Sequence, residues 1–227
     1  MSFNVLLDSF SSTPIQLIAP DIGLESYLPI DLSISNNDFD AIDSSCSDSF
    51  SIYINQYLQQ AKKEIAYGGY LEHRKIYQRS KHFNDPTTKN QRNIHLGIDL
   101  WYAANTPVMA AFDGTIHSFK NNRALGDYGP TIILEHRFSG IQFFTLYGHL
   151  SIESIQNLTI GSSVKSGDCI GFLGHRAVNG DYPPHLHFQV IRDIQGHFGD
   201  YPGVCSLSEL EFYKANCPDP NSILKLK

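Results

Sequence analysis

Asn93-Ile-His-Leu-Gly-Ile-Asp-Leu-Trp101 sets two metal-ligating residue types, His95 and Asp99, four positions apart with Gly97 between them. Leu96, Ile98 and Leu100 alternate as on a strand, and a glycine disfavours helix. On a fully extended strand the two side chains would lie roughly 13 Å apart, too far to share one ion. A shared ion therefore requires a bend, and Gly97 is the residue expected to allow it. This reading puts His95 in a loop and Asp99 at or near a strand start.

Downstream of this stretch the chain reads as short strands separated by glycine-containing turns. Pro107–Phe112 runs into Asp113-Gly114, a hairpin signal, and then into Thr115–Phe119. Thr131–His136 and Ile141–Tyr147 flank a second hairpin signal at Ser139-Gly140. Val164–Ile170 and His185–Ile191 complete the series, without a β-α-β rhythm or an internal repeat. The expected fold is mainly β, an antiparallel sheet or barrel-like sandwich with a few peripheral helices.

Upstream, Ile54, Tyr57, Leu58, Ala61 and Ile65 fall on one helical face, which predicts a helix over about 51–66 ended by Gly68-Gly69. Ile30–Ile34 alternates like a short strand, and 33–51 and 84–91 have loop compositions. A short helix is expected over 206–214. The expected organisation is an N-terminal extension over 1–69, a β domain over 70–200, and a tail over 201–227 packed on the core.

The second informative stretch is Pro184-His-Leu-His-Phe188. Residues two apart on a strand share a face, so His185 and His187 can both meet one pocket while Leu186 and Phe188 enter the core. His95, Asp99 and one of these two imidazoles make a three-ligand N/O set, the pattern of zinc in hydrolytic sites. The spacing leaves open which of the pair is the ligand and which lies beside the bound water. His149, after an apolar strand and Gly148, is a third candidate to handle protons. Arg92 reads as a surface charge, and Tyr147 as core or pocket wall, with substrate contact the alternative for both; the other histidines read as surface or structural groups.

The chain has 227 residues, of which 41% are hydrophobic, enough for a sizeable core. A net charge of −6 and the lack of any Lys/Arg run argue against nucleic acid as the main partner. No apolar run reaches the length of a membrane span. The N-terminal text does not read as a secretory signal, which favours the cytoplasm. Cys46, Cys169, Cys205 and Cys217 form no C-x-x-C pair, so they read as reduced, partly buried thiols, with a Cys205–Cys217 bridge as the alternative.

From Arg92 to Val190 the chain resembles the lysostaphin-type zinc metallopeptidases, β-sheet endopeptidases of bacterial cell walls. The resemblance rests on His95–Asp99, Thr106–Ala111 with Asp113–Thr115, Tyr128-Gly129, Leu146–Ser151, Val164–Gly167 and His185–Phe188. It implies zinc ligands at His95, Asp99 and His187. It also implies that His149 and His185 flank the water as general base and transition-state stabiliser. The implied substrate is a peptide or peptidoglycan-derived cross-link, rich in glycine or alanine. Asp181-Tyr-Pro-Pro184 departs from the small-residue segment usual there, and Pro-Pro-His-Leu-His-Phe-Gln189 is similar to a separate branch of that family. Two other functions fit the same residues: a cytoplasmic zinc amide hydrolase with another substrate, and a non-catalytic zinc-binding module.

Overall fold

The computed structural model describes residues 7, 9–10, 12–80, 83 and 91–227. The loop expected over 84–91 therefore lies, up to Asn90, outside the described residues, as does His82. Twelve strands are present among the described residues. They are β1 (Tyr27–Pro29), β2 (Ile65–Gly68), β3 (Ile94–His95), β4 (Ile98–Trp101), β5 (Pro107–Met109) and β6 (Gly114–Asn122). The rest are β7 (Gly129–Phe138), β8 (Ile141–Gly148), β9 (Ser163–Val164), β10 (Cys169–Phe172), β11 (His185–Ile191) and β12 (Val204–Cys205). The helices are α1 (Asn37–Asp40), α2 (Ser47–Ala61), α3 (Leu210–Asn216) and α4 (Asn221–Leu224).

Eight strands form one sheet in the order β1-β2-β4-β11-β8-β7-β6-β9. All its pairings are antiparallel except β1 with β2. The mainly β expectation holds. The sheet stays open, with β1 and β9 at its edges, so the sandwich form describes it and the barrel form does not.

Several local expectations shift. The helix spans Ser47–Ala61, four residues earlier than the periodicity suggested. Lys62 turns left-handed at φ 53°, and Ile65 opens β2, where pairing with Tyr27 of β1 takes its backbone into the sheet. The 33–51 segment holds α1, capped by the Asn36 side chain, which accepts from Asp38 N and Phe39 N. The upstream strand is Tyr27–Pro29 and not 30–34. Ser139-Gly140 does close the β7–β8 hairpin, with both residues at positive φ. Asp113-Gly114 does not close one. β5 pairs with β10 instead of β6, and the Asp113 carboxylate is taken up by Ser166 N and Lys165 Nζ.

Alternation along β11 sorts its side chains. Leu186, Phe188 and Val190 enter a core with Tyr147, Ile132 and Phe143, while the odd-numbered residues face the other way. On that other face lie two further apolar clusters. One is built on α2 through Phe50, Ile54 and Leu58 against Trp101; the other joins Leu146, Ile191 and Tyr201. Each large side chain buried this way contributes about 1.5–3 kcal/mol, so both faces hold the sheet rigid under the site between the clusters. The tail joins the same body: Val204 pairs with His95, and Ile223 and Leu224 are buried. All four cysteines are free, and burial pushes Cys217 up to about 12 and Cys205 up to about 11. No described helix is long and apolar enough to cross a membrane.

Candidate active site

The register of the central strands assembles the site. Asp99 pairs across to His187 on one side and Gly68 on the other, and His187 pairs on to Gly148. His95 reaches the same point from β3. Its ring Nε2 lies 3.3 Å from Asp99 Oδ1 and 2.8 Å from His187 Nδ1. His187 Nδ1 lies 3.1 Å from the same Oδ1. The bend demanded by the spacing is present, but His95 ends a two-residue strand and is not in a loop. Gly97 serves by its small size. Its φ is not left-handed, and an added Cβ would sit 2.6 Å from Phe188 O and 2.7 Å from His187 Cε1.

His149 and His185 complete the cluster, their rings 4.2 Å apart between centroids. His149 follows Gly148 in left-handed backbone at φ 62°, an uncommon conformation for a side chain larger than Gly. Backbone hydrogen bonds hold it there, from His149 N to Tyr128 O and from Gly174 N to His149 O. All four imidazoles are 2–6% exposed. They line a cavity of about 220 Å³ together with Asp99 and Arg92.

Each of the four rings has one nitrogen against a carbonyl oxygen. His95 Nδ1 meets Gly69 O at 2.9 Å, and His149 Nδ1 meets Asn179 O at 2.7 Å. His185 Nδ1 meets Pro183 O at 2.7 Å, and His187 Nε2 meets Gln189 Oε1 at 3.0 Å. A carbonyl accepts only, so each of those nitrogens carries its proton and the opposite nitrogen presents a lone pair. The facing nitrogens of His95 and His187 are thus two lone pairs 2.8 Å apart, beside a carboxylate oxygen. That arrangement is repulsive until a cation sits among the three atoms. Tetrahedral zinc with bonds of roughly 2.0–2.1 Å holds its ligand atoms about 3.3 Å apart. The observed separations of 2.8–3.3 Å therefore fit one such ion. His95, Asp99 and His187 are the metal-competent group among the described residues.

Burial sets the electrostatics. It pushes His95 and His185 down to about 4, and His149 well below its ordinary value with help from His185 and His187. Burial works against ionisation of Asp99, but its contacts with His95, Arg74 and His187 outweigh it and hold the carboxyl low.

Residues 93–198 match the sequence model of Peptidase family M23. That stretch, a little under half of the chain, is similar to M23 peptidases. A 119-residue part, 49% of the chain, is 30% identical to an uncharacterized metalloprotease of Haemophilus influenzae and covers 23% of that protein. Over 98 residues, 43% of the chain, it is 32% identical to the peptidoglycan DD-endopeptidase ShyA of Vibrio cholerae and covers 20% of it. The chain thus spans about a fifth of the length of the curated relatives it matches. The catalytic domain of lysostaphin from Staphylococcus simulans aligns at 27% identity and a TM-score of 0.37, covering 54% of this chain and 80% of that one.

The two proposed substrate contacts separate. Arg92 lines the cavity, its Nε donating to Val204 O at 3.0 Å and its guanidinium lying 5.6 Å from the Phe83 ring. Tyr147 does not reach it. Tyr147 pairs with Phe188 on the opposite face, fully buried, and its hydroxyl accepts from Ala111 N at 2.9 Å. Strand parity, with His187 on the site face, places Tyr147 in the core. Exposed His197 lines the cavity, whereas His136 is buried on the far face.

Several site residues escaped sequence reading. Gly69, Glu72, Arg74 and Tyr77 come from the segment ahead of the M23 match, and Gln189 and Asn179 from within it. Only Gln189 carried a signal: two residues beyond His187 on a strand, it shares that histidine's face.

Proposed function

We propose that the chain is a zinc-dependent metallo-endopeptidase acting on peptide cross-links of peptidoglycan or similar glycine- and alanine-rich peptides. One observation carries the reading. Four buried imidazoles each have one N–H fixed on a carbonyl oxygen, and the opposite nitrogens of His95 and His187 converge with an ionised carboxylate oxygen. Bound zinc supplies Lewis-acid polarisation of the scissile carbonyl and brings the pKa of water towards neutrality. His95, Asp99 and His187 would hold it. His185 Nε2 lies 3.9 Å from Asp99 Oδ1, and the His149 ring lies beside it, tilted by 35°. Both rings stay neutral at physiological pH through burial, so their Nε2 atoms are free to accept the proton of the attacking water. The same rings, once protonated, return it to the leaving amine. Their Nδ1–H bonds to Asn179 O and Pro183 O keep each ring in the orientation this transfer needs.

The peptidoglycan DD-endopeptidases among the relatives support the substrate class. The test uses the whole chain, loaded with zinc, on purified peptidoglycan and on a pentaglycine peptide, with products identified by mass spectrometry. New termini are expected, lost with chelator and restored by zinc. A zinc-loaded chain that leaves both substrates intact would overturn the reading.

A further inference from the structure

The charged cluster Glu72–Arg74–Asp99 lies at the boundary of the site and begins outside the M23 match. The Arg74 guanidinium is 4% exposed. Its Nη1 donates to Asp99 Oδ2 at 2.5 Å, while the other oxygen of the same carboxylate, Oδ1, faces His95 and His187. Its Nε donates to Glu72 Oε2 at 2.5 Å, and Glu72 Oε1 accepts Leu32 N at 2.8 Å. One planar group thus holds two carboxylates in fixed relative positions. Gly69 makes the space: a Cβ there would lie 1.8 Å from Arg74 Nη2. The same Gly69 supplies the carbonyl that fixes the His95 ring at 2.9 Å.

We propose that Arg74 is a positioning residue that commits Asp99 to one-oxygen coordination of the metal, so that the segment 69–74, outside the M23 match, completes the metal centre. The proposal rests on the zinc reading above. Occupying Oδ2 leaves Oδ1 alone to face the ion and prevents the carboxylate from swinging to chelate through both oxygens. A cation so near the metal would by itself weaken binding. Glu72 offsets it: Glu72, Arg74 and Asp99 together carry one negative charge, the same as a lone carboxylate. Arg74 thus fixes geometry without changing the charge presented to the ion.

Charge neutrality dictates the test. The double variant Glu72→Gln/Arg74→Gln removes one charge of each sign and leaves Asp99 free to rotate. Zinc affinity of the full chain is measured by competition with a chromophoric chelator, and the visible spectrum of the cobalt-substituted chain reports coordination. The double variant is expected to bind zinc about 10–100-fold more weakly, the usual cost of losing an outer-shell partner. Its cobalt bands should shift towards a higher coordination number. Arg74→Lys keeps the charge but not the planar fork, and is expected to lose a smaller, several-fold part. A double variant with the circular dichroism and melting of the metal-free parent, yet with parental zinc affinity and cobalt bands, overturns the proposal. Should the double variant not fold, Arg74→Lys decides: unchanged affinity together with unchanged bands overturns it. A parent chain that binds no zinc defeats the metal reading instead, so the two failures are distinct.

Discussion

The two faces of the large sheet bury histidines to the same degree but pair their ring nitrogens differently. On one face His95, His149, His185 and His187 each give one nitrogen to a carbonyl, and the nitrogens left over are not satisfied by protein donors. On the other face His136, 1% exposed, has both nitrogens occupied, by Asp113 O at 2.9 Å and Thr145 Oγ1 at 2.7 Å. Burial alone therefore does not distinguish the two sets of histidines. The count of satisfied ring nitrogens does. His136 is pushed down to about 4 by burial, as are His95 and His185, so a depressed pKa does not separate the faces either.

Removing one of the proposed ligands should break the comparison most visibly. His187→Ala deletes the imidazole shared between Asp99 and His95. Zinc content by mass spectrometry is expected to fall from one per chain to background, with hydrolysis reduced by more than ~10³-fold, because both polarisation and water activation go with the ion. His136→Gln should leave zinc content unchanged. Equal zinc loss in both variants would mean that satisfied nitrogens are no guide to ligation.

The next effect separates proton handling from ligation within the reactive face. His149→Ala and His185→Ala are each expected to retain zinc while kcat falls about 10²–10⁴-fold, the range for a lost general acid–base group. Loss of zinc in either variant would place that ring among the ligands and undo the division of roles.

A smaller effect is expected on the structural face, and it concerns stability. His136 has a folded pKa of about 4 against an ordinary value of 6.5. Between those two values the unfolded chain binds a proton that the folded chain does not. Stability from this residue is thus complete above about pH 6.5 and is lost as the pH falls towards 4. Urea unfolding of the metal-free chain should show about 2 kcal/mol less stability at pH 5 than at pH 7.5 from His136. The parent carries the other buried histidines too, so the readout is the difference in pH slope between parent and His136→Gln. Identical slopes would show that His136 is already free to protonate in the fold.

What could be read ahead of the structure follows the range of the interactions involved. His95, Asp99, His185 and His187 were legible because strand parity and a four-residue spacing are local geometry. The mainly β fold followed from repeated short strands and turn residues. Tyr147 stayed open between core, pocket wall and substrate contact, because the partner register that ties it to Phe188 is not written in its own strand. Asp113-Gly114 carries a true turn signal, but the pairing of β5 with β10 is non-local and overrides it. Ile65 fits the helical period of α2 and equally a strand, and its pairing with Tyr27 of β1 settles the matter. Arg74 and Glu72 had no pattern to announce them. Arg74 reaches Asp99, and Glu72 reaches Arg74, only because β2 docks beside β4 and carries the following turn across the site.

Tyr147 offers the finest cut between the faces. Its hydroxyl accepts from Ala111 N at 2.9 Å and lies 3.2 Å from Thr145 Oγ1, the atom that meets His136. Tyr147→Phe keeps the ring against Phe188 and removes only the hydroxyl, leaving a buried N–H without that acceptor. The expected cost is about 1 kcal/mol, read as a drop of a few degrees in the melting temperature. kcat/KM on a peptide substrate should stay within about twofold, since the sheet itself stands between this ring and the cavity. A larger loss of kcat/KM with unchanged melting would mean that the two faces communicate through β8, and that the structural side of the sheet helps to aim His149.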